Sequence, residues 1–368
     1  MTVRDIQNIL ENWAPREIAW EKDNVGLQVG TPHGEVRSIA VCLDVTENTI
    51  REAVGRKCNL LISHHPLLFR PVQNVDLTST TGRCIAHLVQ SGITLISSHT
   101  NLDFTRGGTS FALAERIGLT EVDFLSRTFK LSRKVVTFVP GTHVERVASA
   151  MANAGAGRIG KYDTCSFRTE GVGTFRGNQS SSPAIGEKGR LEFTGETRLE
   201  MIVEQPHLDA VVRAMKDAHP YEEAAFDVYP LDNLSREYGM GAVGELSRPL
   251  SPAEFTKSIM KSLRVRGIRC SRPRSGKIRR VAVCGGSGAE LMYDALRANA
   301  DAFVTADVKY HTFQEADGQI LLMDAGHYET ERPVVDAVVK RLESEFAKKR
   351  VHLPVHATRT SSNPIVYN

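Results

Sequence analysis

Three short apolar runs in this chain each lead into side chains that can bind a metal ion. They are NLLIS before His64, ITLISS before His99, and ILLMDA before Gly326-His327. Continuous apolar runs of this length predict buried strands of a largely parallel sheet. The intervening stretches 46–57 and 288–299 read as helices, so strand and helix alternate in the first and last thirds of the chain. That alternation predicts an α/β fold made of βαβ units. Ligands of open α/β sheets bind beyond the carboxyl ends of the strands, where the polar residues of these three runs lie.

The two ends of the chain also match each other. IAVC at 39–42 corresponds to VAVC at 281–284, and one gapless offset carries Thr46–Lys57 onto Gly288–Asn299 and His65 onto Asp307. Two related βαβ-containing halves are the expectation, against the alternative that any two βαβ units look alike. Residues 126–245 have another rhythm, β-α-β-β-α-β, which is the order of the ferredoxin-like split βαβ. Within it the Gly/Ser-rich stretch 177–190 predicts a mobile hairpin loop. The expected organisation is a discontinuous α/β domain, 1–125 with 246–368, interrupted by an α+β insert at 126–245. Residues 269–279 (RCSRPRSGKIR) read as a solvated basic connection.

Composition removes several classes. A chain of 368 residues predicts two or three domains, and 41% apolar with 24% charged residues is ordinary globular usage. The net charge of +3 arises from 46 basic and 43 acidic side chains mixed along the chain, so nucleic acid is not indicated as a partner. Six cysteines without a C-x-x-C pair suggest free thiols in a reducing cytoplasm. The opening MTVRDIQNILENW reads as an amphipathic helix without an apolar signal core, and no run approaches the roughly 18 apolar residues of a membrane span. A cytoplasmic location is the expectation.

Ser63-His64-His65-Pro66 places two imidazoles at a strand end. Side chains of adjacent strand residues point to opposite faces, so both histidines serve one site only if the chain turns there, as the proline favours. Taken alone, the pair reads more readily as one hydrogen-bonded core histidine and one surface histidine. Asp103, four residues beyond His99, offers a carboxylate or a helix cap. His327 and Glu331, four apart, share one face of a helix, or Glu331 simply favours a helix start. Together these are three imidazoles and two carboxylates, more than one catalytic ion with an open position takes, and two ions account for them. The donor set suits zinc, iron, manganese, cobalt or nickel. Cys284-Gly285-Gly286-Ser287-Gly288 reads as a tight turn or an anion cradle at a helix start. Asp307, Lys309 and His311 follow the next strand, and Asp23-Asn24 forms a polar turn near the N-terminus.

The motifs WEKDNVGLQVG (20–30), SHHP (63–66), SSHTNLD (97–103), TADVKYH (305–311) and DAGHYETE (324–331) make the chain resemble the GTP cyclohydrolase I type 2 homologues, or Nif-three-like proteins. The resemblance covers about 1–125 and 246–368. It implies two divalent ions held by His64, His65, Asp103, His327 and Glu331, the same set as above. It implies that the insert, with GKYDTCSF at 160–167 and HPYEEAAFDVYPL at 219–231, is similar to PII and CutA trimeric domains. A homohexamer, as a dimer of trimers or a trimer of dimers, is the implied assembly. One departure is Ala306, which stands where the family commonly has glycine.

The expected function is that of a metal-dependent hydrolase on a small nucleotide-like substrate, of GTP cyclohydrolase type. His99, Lys309 and His311 are the catalytic candidates, and Asn24, Asn101, Asp307 and Gly286 the substrate-binding ones. The competing expectation is a non-enzymatic metal-binding or regulatory oligomer, and a pure scaffold is a third.

Overall fold

The computed structural model describes residues 1–182 and 184–366. It divides into a larger unit, Met1–Arg127 with Glu237–Asn368, and a smaller one, Thr128–Arg236. The division on the C-terminal side falls earlier than the expected 246. The strand Met240–Leu250 pairs with Ile278–Ser287 on one side and Leu119–Ser126 on the other, which binds it to the larger unit.

Two sheets build the larger unit. In the first, Ile39–Cys42, Leu60–Ser63 and Thr94–Ser97 run parallel in that order, with Val355–Ala357 parallel on one edge and Gly26–Val29 antiparallel on the other. In the second, Ile278–Ser287, Ala302–Ala306 and Leu321–Asp324 repeat the same parallel order, here with antiparallel neighbours on both sides. The residues of all three short apolar strands are buried, because helices cover both faces of each sheet. Ile6 and Leu10 of one helix and Val338 and Leu342 of another close one face of the first sheet. Ile50, Ala53 and Leu88 close the other. Phe255 and Ile259 pack on one face of the second sheet, and Met292 and Ala295 on the opposite one.

Local chemistry trims the expected elements. The helix foreseen over 46–57 spans Glu47–Gly55, begun by a capping box at Thr46 and ended before Lys57, whose φ of 58° is left-handed. The helix foreseen over 288–299 is a 3-10 turn, Ala289–Leu291, followed by the short helix Met292–Arg297. The strand before it continues through the glycines to Ser287. The basic stretch 269–279 is more than a connection. Arg269–Cys270 adds an edge strand beside Leu321–Asp324, where the Arg269 guanidinium pairs with Asp324.

The smaller unit contains, in chain order, Ser132–Pro140, the helix Val144–Asn153, Phe167–Arg176, Leu191–Glu204, the helix Leu208–Ala218 and Phe226–Pro230. Its four strands are all antiparallel, in the spatial order second, third, first, fourth. Val147, Met151, Val211 and Met215 of the helices pack with Val135, Leu199 and Met201 of the sheet. Pro183, within the 177–190 connection, lies outside the described residues. No helix among the described residues is long and apolar enough to cross a membrane.

Candidate metal centre

The chain leaves the strand Leu60–Ser63 directly into His64 and His65, whose ring centroids are 5.1 Å apart and inclined at 44°. The turn therefore directs both imidazoles to one side. The next strand, Thr94–Ser97, leads through His99 into the single helical turn Thr100–Asp103. In the second sheet Leu321–Asp324 leads through Gly326 into the helix His327–Glu331, which sets His327 and Glu331 on one face.

Each histidine is held through Nδ1. His64 Nδ1 lies 2.9 Å from the Ser98 carbonyl and His65 Nδ1 2.7 Å from Asp44 Oδ1. His327 Nδ1 lies 2.7 Å from Asp307 Oδ2, and His99 Nδ1 3.0 Å from both oxygens of Asp23. An acceptor at Nδ1 keeps the proton there and leaves the Nε2 lone pair for a ligand, which is how histidines that bind metals are oriented. The Nε2 atoms of His65 and His327 lie 2.9 and 3.1 Å from Glu331 Oε2. His64 Nε2 is 3.4 Å from Asp103 Oδ1 and 4.0 Å from Glu331 Oε1.

With each imidazole proton on Nδ1, the Nε2 atoms donate nothing across these contacts. His64 Nε2, Asp103 Oδ1 and Glu331 Oε2 are all buried without a hydrogen-bond partner. An orphaned buried polar atom costs about 1–3 kcal/mol, a cost that bound cations would offset. Two groups of ligand atoms close enough for an ion share His65: His64, His65 and His99, and His65, His327 and Glu331. The donors, imidazole nitrogen and carboxylate oxygen, suit a divalent transition metal.

The electrostatics point the same way. Burial holds His64 neutral, its pKa down at about 3. Burial also opposes charge on His65, but Asp44 and Glu331 overcome it and raise the pKa to about 10. The Glu331 contact, with help from Asp307, raises His327 to about 9 against its burial. Burial and the Glu331 charge push Asp103 up, whereas His327 and His65 hold Glu331 well below the carboxylate range despite its burial. Metal-free His65 and His327 therefore carry protons at pH 7 that an ion must displace. Metal affinity is expected to rise with pH up to about 9 and level off above about 10, with roughly two protons released per chain near neutrality. Titration calorimetry in buffers of different ionisation enthalpy measures the release. An affinity independent of pH between 6 and 9 would contradict the assignment of these two ligands.

The other candidates separate. His99 joins the site, its ring 5.3 Å from His64 and 5.4 Å from His65. Lys309 and His311 do not: Lys309 is the exposed residue before the helix Tyr310–Ala316, and His311 turns to Gln314. Asp307 lies against His327, and its φ of 54° carries the left-handed turn directly after Ala306, which ends its strand fully buried. Asn101 is buried, donating to the Ala14 carbonyl and accepting from the His99 amide, so it braces the His99 turn. Asn24 is spent on the Leu68 carbonyl. The glycine turn cradles no anion, because the amides of Gly285, Gly286 and Gly288 donate to the hydroxyls of Ser110, Thr330 and Thr305. Gly286 instead walls the site. A Cβ there would sit 2.0 Å from Glu331 Oε1.

Two carboxylates in this arrangement escape a strand-end reading of the sequence. Asp44 follows IAVC by the same rule as the other strand ends, yet lacks a histidine beside it to draw notice. Asp23 reaches His99 from a turn far upstream, and takes the Thr100 amide as well at 3.0 Å.

Residues 1–364 match the family described as Duf34/NIF3 (NGG1p interacting factor 3). The chain belongs to that family. A relative from Halalkalibacterium halodurans, named GTP cyclohydrolase 1 type 2 homolog, is 37% identical over 98% of this chain and 97% of its own. One of the same name from Bacillus subtilis is 35% identical over 99% and 98%. A solved structure, a Bacillus cereus protein related to NIF3, superposes with a TM-score of 0.89 at 35% identity, covering 100% of this chain and 99% of that one. The Duf34/NIF3 membership and the α/β fold thus agree with the resemblance drawn from SHHP, SSHTNLD and DAGHYETE.

Proposed function

We propose that this Duf34/NIF3 member is a metal-dependent hydrolase of small nucleotide-like substrates, with two divalent ions held by His64, His65, Asp103, His327 and Glu331. The observation that carries the reading is the set of three orphaned buried atoms, of which His64 Nε2 and Asp103 Oδ1 face each other at 3.4 Å and Glu331 Oε2 faces the Nε2 atoms of His65 and His327 at 2.9 and 3.1 Å. The name shared by its curated relatives, GTP cyclohydrolase 1 type 2 homolog, supports the substrate class. Such a pair of ions, when bound, supplies Lewis-acid polarisation of a substrate oxygen and water of lowered pKa.

The chain's own groups do the rest. Asp44, Asp307 and the Ser98 carbonyl hold three imidazoles at fixed orientation, so the site is arranged before substrate arrives. His99 presents Nε2 to the same space with Nδ1 held by Asp23, which suits it to take a proton from a bound substrate and return it. Asp23 stays ionised for this task. His99 and Thr100 outweigh its burial and hold its pKa at about 2.

The test is turnover of a nucleoside triphosphate panel by metal-reconstituted protein, with products followed by mass spectrometry. Wild type is expected to turn over at least one member, His64→Ala none, and His99→Ala about 10²–10⁴-fold less while keeping its metal. Wild type that is fully metal-loaded and inert on the whole panel would sink the hydrolase and leave the metal-binding role.

A further inference from the structure

The helix His327–Glu331 has a second face, which the metal centre does not use. Tyr328, Glu329 and Arg332 lie on it, and the segment after Val355–Ala357 runs past it. That segment is tied down at three points. The Glu52 carboxylate accepts the amides of Arg359 and Thr360 at 2.9 Å each and the Thr360 hydroxyl at 2.7 Å. Ser362 donates to Asp44, and Asn363 Nδ2 donates to Glu329 Oε1 at 2.9 Å. Between this strap and the helix face opens a cleft of about 960 Å³.

Five arginines line the cleft: Arg56, Arg116, Arg264, Arg332 and Arg359. There are too few carboxylates for them. Arg116 at 2.7 Å and Arg332 at 3.4 Å share the single carboxylate of Asp336. Arg56 pairs with Glu52 at 3.0 Å, a group already saturated by the strap. Glu329 is engaged by Asn363. Arg264 and Arg359 are exposed and have no carboxylate partner among the described residues. A concave surface with surplus guanidinium groups concentrates positive potential, and the planar guanidinium fork matches phosphate oxygens two at a time. Tyr328, Pro333 and Leu263 supply an apolar flank beside the charged one.

We propose that this cleft is a second ligand site, built for a small oligophosphate, either free or as the phosphate chain of a nucleotide. Arg264 and Arg359 grip the phosphates with the charge they do not spend inside the protein, and Arg332 and Arg116 close the other side. The site needs neither the metal ions nor hydrolysis, so it stands or falls apart from the reading of the metal centre.

The experiment is calorimetric titration of inorganic tripolyphosphate into the full chain after chelator dialysis, because the probe would otherwise bind the metal. Saturable binding is expected, with a nucleoside triphosphate competing for it and citrate failing to. Arg264→Ala with Arg359→Ala should weaken it at least tenfold without moving the melting temperature, since neither side chain has a carboxylate partner among the described residues. Arg4→Ala with Arg37→Ala, two exposed arginines outside the cleft, removes the same charge and should leave the affinity within twofold. Absence of saturable binding, unchanged affinity in the first double variant, equal weakening in the second, or citrate binding as tightly as tripolyphosphate would each overturn the proposal.

Discussion

Glu331→Ala is expected to strip the protein of its bound transition metal, with elemental analysis of the purified variant falling from the wild-type content to near background. Glu331 is the one carboxylate that approaches three of the imidazoles, with Oε2 facing His65 and His327 and Oε1 facing His64. Its loss removes a buried anion from a site that otherwise contains mainly neutral donors. At 4% exposure no water replaces it easily. Removing one member of a buried charged set costs about 3–5 kcal/mol, so affinity should fall by about a hundredfold or more. The truncation leaves a hole, so Glu331→Gln is the companion variant. It keeps the shape, and it should lose the metal while melting within a few degrees of metal-free wild type. Full metal content in both variants would remove Glu331 from the site.

Gly286→Ala is expected to damage the same site from the other wall. Gly286 has φ +66°, which costs a side-chain-bearing residue roughly 1–2 kcal/mol, and the new methyl would overlap Glu331 Oε1. The Gly286 amide donates to the Thr330 hydroxyl at 3.0 Å, which fixes the turn beside the helix, and Glu331 is buried at 4% exposure. With overpacking at about 1–3 kcal/mol, the total is about 2–5 kcal/mol, or a melting temperature lower by roughly 4–20 °C. Metal affinity should drop with it, since any relief moves Glu331 off the imidazoles. Gly55→Ala is the control. That glycine ends a helix with nothing within 4 Å of a Cβ, and its substitution should be neutral or slightly stabilising. A Gly286→Ala protein with wild-type melting and metal content would show that Glu331 does not pack as described.

The sequence alone determined the strands and the ligand types, because both are local. NLLIS, ITLISS and ILLMDA are mostly apolar, as a strand covered on both faces must be, and each leads into a histidine within two residues. The i, i+4 spacing of His327 and Glu331 is likewise a property of one helical turn. Tertiary structure alone decided which neighbours those residues meet. Asp44, Asp23 and the Ser98 carbonyl orient imidazoles from other segments, and no local spacing relates His99 to Asp23. Lys309 and His311 follow a strand end just as His64 does, yet the helix starting at Tyr310 carries them to exposed positions. The glycine turn looked open to an anion until Ser110, Thr330 and Thr305 claimed its amides. The Met240–Leu250 strand joined the larger unit through ladder partners more than a hundred residues upstream. Periodicity and ligand chemistry are written within a few residues of chain, whereas hydrogen-bond partners and strand pairings are settled by which distant segments the packed core brings into contact.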